Sequence, residues 1–391
     1  MLDKRQLVRA RDGGETAKVG FVELFFDLVF VFAVTQISHF FLAHLDLAGA
    51  LQTLVLLLAV WWVWVFTSWV TNWLDPETTH VRLMLFALML AGLVVSASIP
   101  EAFGERGLAF ALAYAGMQVG RSVFTLWVLK GVDESNTRNF QRITVWLSVS
   151  AALWVAGGAS GGDVRTALWT AAIAIELASP AFGFWTPGLG RSQSTDWNIA
   201  GEHLAERCGL FVIIALGESV LITGSTFAGS RWTAEIAAAF VVSLTGSIAM
   251  WWVYFHVGAK QATHVIETAE NPGRFARLAY TYIHAVIIGG IMLGAAADEI
   301  LLEHPDGRPD GAEALVLVGG PAVFLTGCTL FKWATTDQAP LSHRIGLAAL
   351  VAVLAFSLVL PRLAVSALAV AALIAVAVLE SRWTSQPGPE S

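Results

Sequence analysis

Apolar residues run in blocks of about 20 along almost the whole chain, separated by short polar clusters. Twelve blocks can be drawn, at roughly 20–43, 47–72, 81–100, 107–130, 140–158, 163–185, 204–227, 233–256, 276–297, 313–333, 343–360 and 362–381. Most are long enough to carry a helix across a hydrocarbon layer about 30 Å thick. The fifth and the last two are short or alanine-rich, and a Pro361-Arg362 turn separates the last pair. The pattern predicts an all-α, polytopic integral membrane protein with about 12 transmembrane helices. Composition agrees. Of 391 residues 56% are hydrophobic and only 14% charged, against roughly 25% charged in soluble domains, and mean hydropathy is +0.66. No stretch reads as a soluble catalytic domain. Cys208 and Cys328 lie in apolar surroundings, which suggests neither a disulfide framework nor a zinc site.

The cations are distributed unevenly between alternate loops. Lys4, Arg5, Arg9, Arg11, Lys18, Arg82, Lys130, Arg138, Arg142, Arg191, Arg207, Lys260, Arg274, Arg277, Lys332, Arg344 and Arg382 fall on one side, 17 in all. Arg106, Arg165, Arg231, Arg308 and Arg362 fall on the other, and Arg121 sits inside a span. A 17:5 split predicts both termini in the cytoplasm and an even number of spans. The basic residues before Glu23 then read as a cytoplasmic tail, residues 1–19, rather than a signal peptide. Of the 16 tryptophans, Trp61, Trp62, Trp64, Trp69, Trp73, Trp127, Trp251 and Trp252 lie towards span ends, where an interfacial aromatic belt is expected.

The two halves resemble each other. Glu23 matches Glu206, Trp61-Trp62-Val-Trp matches Trp251-Trp252-Val-Tyr, Arg82 matches Arg277 and Arg142 matches Arg344, at offsets of 183, 190, 195 and 202. The offset climbs steadily, as small loop insertions would produce. This predicts two six-helix repeats, 20–190 and 191–382, followed by a polar tail, 383–391. An even span number per repeat gives both copies one orientation, with the functional path at their interface.

Polar groups inside apolar runs are costly, and they mark either a path or a buried pair. Glu23 and Asp27 in span one lie about 40° apart around a helix, with Ser38 on the same face and Gln36 and His39 on roughly the opposite one. Polarity on two sides predicts that this helix is central. Asp27 is about 10 Å deep if the span begins near Gly20. In span seven, Glu206 and Arg207 open the helix, and Glu218-Ser219 follow about 18 Å further along, near mid-membrane. Arg121 in span four calls for an acidic neighbour, with Glu218 and Asp27 both open as partners. Glu176 precedes Ser179-Pro180 in span six, and His284 in span nine titrates near neutral pH when solvated. Asp298-Glu299 are placed at the outer end of span nine. Gly319-Gly320-Pro321 reads as a kink with close packing in span ten.

Val22-Glu-Leu-Phe-Phe-Asp-Leu-Val-Phe-Val-Phe-Ala-Val-Thr-Gln-Ile-Ser-His39 and Glu206-Arg-Cys-Gly-Leu-Phe-Val-Ile-Ile-Ala-Leu-Gly-Glu-Ser219 closely resemble signature stretches of the bacterial low temperature requirement protein A (LtrA) family, and so do Tyr280-Thr-Tyr-Ile-His284 and Gly319-Gly-Pro321. The resemblance implies a multi-pass inner-membrane protein. Family members often carry histidine where this chain has Cys208. Three classes of function remain open. Ionisable residues in spans one, four, six and seven favour a transporter or channel for a small cation or proton-coupled solute. The path candidates are Glu23, Asp27, Gln36, His39, Arg121, Glu176, Glu206, Arg207, Glu218, Ser219 and His284. A membrane-embedded enzyme acting on a lipid-like substrate would need a clustered nucleophile or metal motif, but the nine histidines are dispersed and no His-Glu-x-x-His or Gly-x-Ser-x-Gly occurs. A non-transporting sensor or assembly protein would have every buried charge paired. No catalytic residue, resident metal, cofactor or nucleic-acid partner is expected. The expected partners are the lipid bilayer and a small cation or proton.

Overall fold

The computed structural model describes residues 3–9, 19–192, 200–256 and 272–384. Arg11, Lys18, Lys260, the side chain of Arg274 and the polar tail beyond 384 lie outside the described residues. Regular structure within them is helical apart from two isolated bridges, Val8 to Leu74 and Thr186 to Gly190. The long helices are α1 (Phe21–Ala43), α2 (Leu47–Trp73), α3 (Thr79–Ser98), α4 (Gly107–Leu129), α5 (Glu134–Ala159), α6 (Gly162–Ala178), α7 (Gly201–Gly229), α8 (Ala234–Phe255), α9 (His284–Glu303), α10 (Gly311–Thr336), α11 (Leu341–Phe356) and α12 (Arg362–Thr384). Each falls on one of the apolar blocks. By length and composition, ten of the helices are able to cross a membrane. The other two are α4, which carries Gln118 and Arg121, and α6, whose 17 residues rise about 25 Å. Ser179-Pro180 stops α6 earlier than the hydropathy suggests, because a proline cannot donate the next helical hydrogen bond.

The chain divides into two compact units within α7, between Arg207 and Cys208. The first takes α1 up to Phe40 and α2 to α6 with the opening turns of α7. The second takes Phe41–Asp46, the rest of α7 and α8 to α12.

In the first unit α2, not α1, is the enclosed helix. Over their most apolar stretches 83% of α2 is buried, against 56% of α1. Helix α1 keeps Glu23, Asp27 and Ser38 inside and turns Phe21, Phe25, Leu28, Phe32 and His39 outward, a stripe of roughly helical period. The expectation of a central span one is therefore corrected: its second polar side is the exposed far end. The aromatic belt is corrected in the same way. Trp61, Trp62 and Trp64 are 1%, 0% and 0% exposed, and Trp69 and Trp73 are buried too, because the helix that carries them is internal. Trp127, Trp251 and Trp252 do lie on the surface. Arg207 and Lys332, counted above with the cations of the cytoplasmic side, are buried in ion pairs and carry no weight in the orientation argument.

In the second unit α9 and α10 cross at backbone contact. A Cβ on Gly290 would collide with the Phe324 backbone, and one on Gly320 would come within 2.7 Å of the Gly294 nitrogen. The Gly319-Gly320-Pro321 stretch thus packs closely as read, while α10 continues through the proline to Thr336. Gly290→Ala should lower stability by about 1–3 kcal/mol through forced separation of the two helices. Thermal unfolding of the detergent-solubilised protein checks this, and an unchanged midpoint would contradict the packing described.

Candidate functional site

Two carboxylates one turn apart on α1 meet two bases one turn apart on α7. His203 Nε2 lies 3.0 Å from Glu23 Oε1, and Arg207 Nη2 donates to Asp27 Oδ1 at 2.8 Å. Both pairs are separated by 180 residues, so the two helices run in the same direction with matched registers. All four side chains are 0% exposed. An ion pair removed from water in this way costs more in desolvation than it returns unless further hydrogen bonds support it.

Helix α2 supplies that support through a stripe four residues apart. Trp64 Nε1 donates to Asp27 Oδ1 at 2.8 Å and places its ring 5.5 Å from the Arg207 guanidinium carbon. Ser68 Oγ accepts from Arg207 Nη2 at 3.2 Å. The Asn72 amide is fixed by Ala200, to whose carbonyl it donates at 2.9 Å and from whose N–H it accepts at 3.0 Å. Its Nδ2 therefore faces His203 Nδ1 as a donor at 3.3 Å. Nδ1 is the acceptor, which leaves the Nε2 proton of a neutral imidazole directed at Glu23. Glu23 also accepts from the Gly20 N–H at 2.9 Å and lies 3.5 Å from Arg9. Asp27 Oδ2 and Arg207 Nη1 are buried with no hydrogen-bond partner.

Arg121 does not pair with Asp27. It donates to the Val63 carbonyl at 3.0 Å, to Thr67 Oγ1 at 2.9 Å and to Gln118 Oε1, and it stacks over Phe66. Gln118 Nε2 passes the interaction on to Glu176 Oε2 at 2.9 Å. Glu176 also accepts from Tyr114 at 2.6 Å, Ser150 at 2.5 Å and Trp154 at 2.9 Å. A carboxylate with both oxygens saturated, linked through an amide to a buried arginine, is a closed network joining α2, α4, α5 and α6.

The remaining candidates are scattered. Glu206 is exposed and accepts from the Val19 N–H at 3.2 Å, so it does not share the burial of Glu23. Gln36 and His39 lie on the outer face of α1, away from Asp27. Glu218 is 2% exposed on α7 in the second unit. Its neighbour Ser219 donates to Asp298 Oδ2 at 2.8 Å and lies 3.0 Å from Ser247 Oγ. His284 follows a π-helical turn, Arg277–Ile283, which leaves the Ala279 carbonyl 2.7 Å from Nδ1. Nε2 meets the Tyr254 hydroxyl at 2.8 Å, so both ring nitrogens are satisfied in an aromatic setting.

Sequence reasoning missed His203, Trp64, Ser68 and Asn72. The available signal was spacing: His-x3-Arg in one apolar helix complements Glu-x3-Asp in another. It also missed Asp298 as an interior group, and a buried cluster in which Glu380 accepts from Lys332 and lies 2.8 Å from His343.

The sequence profile of the bacterial low temperature requirement A protein (LtrA) matches residues 18–378. An uncharacterized protein of Rhizobium meliloti (strain 1021) is 39% identical over 372 residues, which cover 95% of this chain and 90% of that protein. No solved structure matches. The profile spans nearly every helix described above, including those that carry the buried acid–base quartet, and the chain belongs to the bacterial low temperature requirement A family.

Proposed function

We propose that this chain moves a proton or a small cation across the bacterial cytoplasmic membrane, with both termini in the cytoplasm. The observation that carries the reading is the Glu23–His203, Asp27–Arg207 quartet. It puts four ionisable groups in helices with membrane-crossing composition, fully out of solvent, with one Asp27 oxygen and one Arg207 nitrogen left without partners. Intramembrane ionisable groups are expensive and mark ion or proton paths by default. A neutral histidine donating to a carboxylate is a proton-exchange pair in its resting tautomer.

Two sets of internal contacts support the reading of the chain as a duplicated six-helix unit. Arg165 at the start of α6 donates to the Ala102 carbonyl between α3 and α4, at 2.9 Å. Arg362 at the start of α12 donates to Glu313 at the start of α10, at 2.6 Å, and to the His304 carbonyl that closes α9. Near the other end, Glu176 of α6 is held by α4 and α5, and Glu380 of α12 by α10 and α11.

The test is flux in liposomes under imposed pH, Na+ and K+ gradients. Wild type should carry a flux that falls at least tenfold in Asp27→Asn and in the Asp27→Asn/Arg207→Met double variant. Glu218→Gln reports whether the second unit's buried carboxylate shares the path. Folded wild-type protein with no flux under any of these gradients would sink the proposal.

A further inference from the structure

We infer that the second unit contains a binding site for an alkali-metal cation, built on Asp298. This goes beyond the proposed function, concerns different residues, and departs from the sequence reading, which assigned no metal-binding residue. A cavity of about 30 Å3, room for one water molecule or a bare monovalent ion, opens where α7, α8, α9, α10 and α12 converge. Its polar lining is Asp298 and four serines, 219, 243, 247 and 366, and Asp298 is its single ionisable side chain. The rest of the wall is apolar or glycine, including Met250, Gly294 and Leu373. A carboxylate in such a wall needs a cation or a proton to be neutral.

The oxygens converge. Ser219 Oγ lies 2.8 Å from Asp298 Oδ2 and 3.0 Å from Ser247 Oγ, and Thr223 Oγ1 reaches the same carboxylate oxygen at 3.5 Å. Ser243 adds a further oxygen: it is 1% exposed, lines the cavity and turns its hydroxyl toward the Asp298 carboxylate in a contact looser than a normal hydrogen bond. Pro321, also in the wall, has no N–H, so the Leu317 carbonyl one turn earlier lacks its ordinary helical donor and is a further oxygen at the same level.

The donor set selects the ion. Hydroxyl, carbonyl and carboxylate oxygens suit hard cations; no side-chain nitrogen lines this wall, and its one sulfur is the Met250 thioether, a soft donor that hard cations do not favour. One carboxylate neutralises one positive charge. A divalent ion here would keep a net charge in an apolar setting, which is costly. Glu218 and Glu299, the chain neighbours of Ser219 and Asp298, are not part of the lining.

The test is binding, and it needs no transport. The purified full chain in detergent, exchanged into choline chloride at fixed ionic strength, is titrated with NaCl and with KCl by calorimetry and thermal unfolding. At least one of the two should give a saturable heat and a saturable rise in melting temperature that choline does not. Asp298→Asn should abolish both. If Asp298→Asn fails to fold, Ser243→Ala decides, because it removes one wall oxygen and keeps the carboxylate with its Ser219 and Thr223 contacts. It should weaken the ion at least tenfold in a protein that still unfolds cooperatively in choline. An exposed control, Glu105→Gln, should bind as wild type does. Equal response to Na+, K+ and choline, or saturable binding that survives both Asp298→Asn and Ser243→Ala, would overturn the inference and leave a water-filled polar pocket. Binding without flux would sink the transport reading and keep this one. Flux without binding would do the reverse.

Discussion

Arg207→Met alone should cost about 3–5 kcal/mol of stability, and adding Asp27→Asn on the same chain should restore most of it. The asymmetry follows from the environment. Asp27 and Arg207 are both 0% exposed, so removing either leaves a buried charge with no counter-charge at bonding distance. Removing both charges leaves nothing to compensate. Asparagine is the right partner in the double variant because its side-chain oxygen still accepts from Trp64 Nε1, whereas leucine would leave that indole N–H unbonded. Ser68 keeps its own bond to the Trp64 carbonyl at 3.2 Å and so survives the loss of the guanidinium. Thermal or denaturant unfolding of the four proteins closes a double-mutant cycle, and a coupling energy below about 0.5 kcal/mol would show that the pair is not the interaction described. The cycle also bears on function. If a neutral pair is as stable as the ionic one yet carries no flux, stability does not account for the charges being there.

The helices were legible in the sequence because length and apolarity are local properties, and every block holds a helix, although α6 stops seven residues short of its block and α9 runs six residues past its own. The buried carboxylates of α1 were legible for the same reason: a charge in an apolar run is visible without a partner. The partner was not visible. Asp27 and Arg207 are 180 residues apart, and the Lys/Arg count placed Arg207 with the cytoplasmic cations because it sits near a helix start. The tryptophans of α2 misled for a related reason. Trp at a span end signals an interface only when the helix faces lipid, and which helix is internal depends on packing. Asp298 was read as an outer-end residue because the apolar run ends near it. In the fold α9 continues to Glu303 and serines from α7, α8 and α12 surround the carboxylate, a convergence that no spacing along one chain reports.

Glu176 is expected to behave differently from Asp27, though both are fully interior acids in the same unit. Its oxygens accept from Tyr114, Gln118, Ser150 and Trp154, and through Gln118 they balance Arg121. Glu176→Leu strips an acceptor from four donors at once and leaves the Arg121 charge uncompensated, so a loss of about 3–5 kcal/mol is the least expected, enough to unfold a marginal protein. Glu176→Gln keeps one acceptor oxygen and the shape, so it should lose roughly half as much. Melting temperatures of the two variants against wild type check the order Leu below Gln below wild type. Glu176→Gln should also leave flux per folded molecule near the wild-type value, because both of its carboxylate oxygens are already occupied and it has nothing left to offer a passing ion. Asp27 has an oxygen without a partner, and that difference separates a structural acid from a path acid. Flux lost in Glu176→Gln at unchanged stability would move the path from α1 and α7 to α4 and α6.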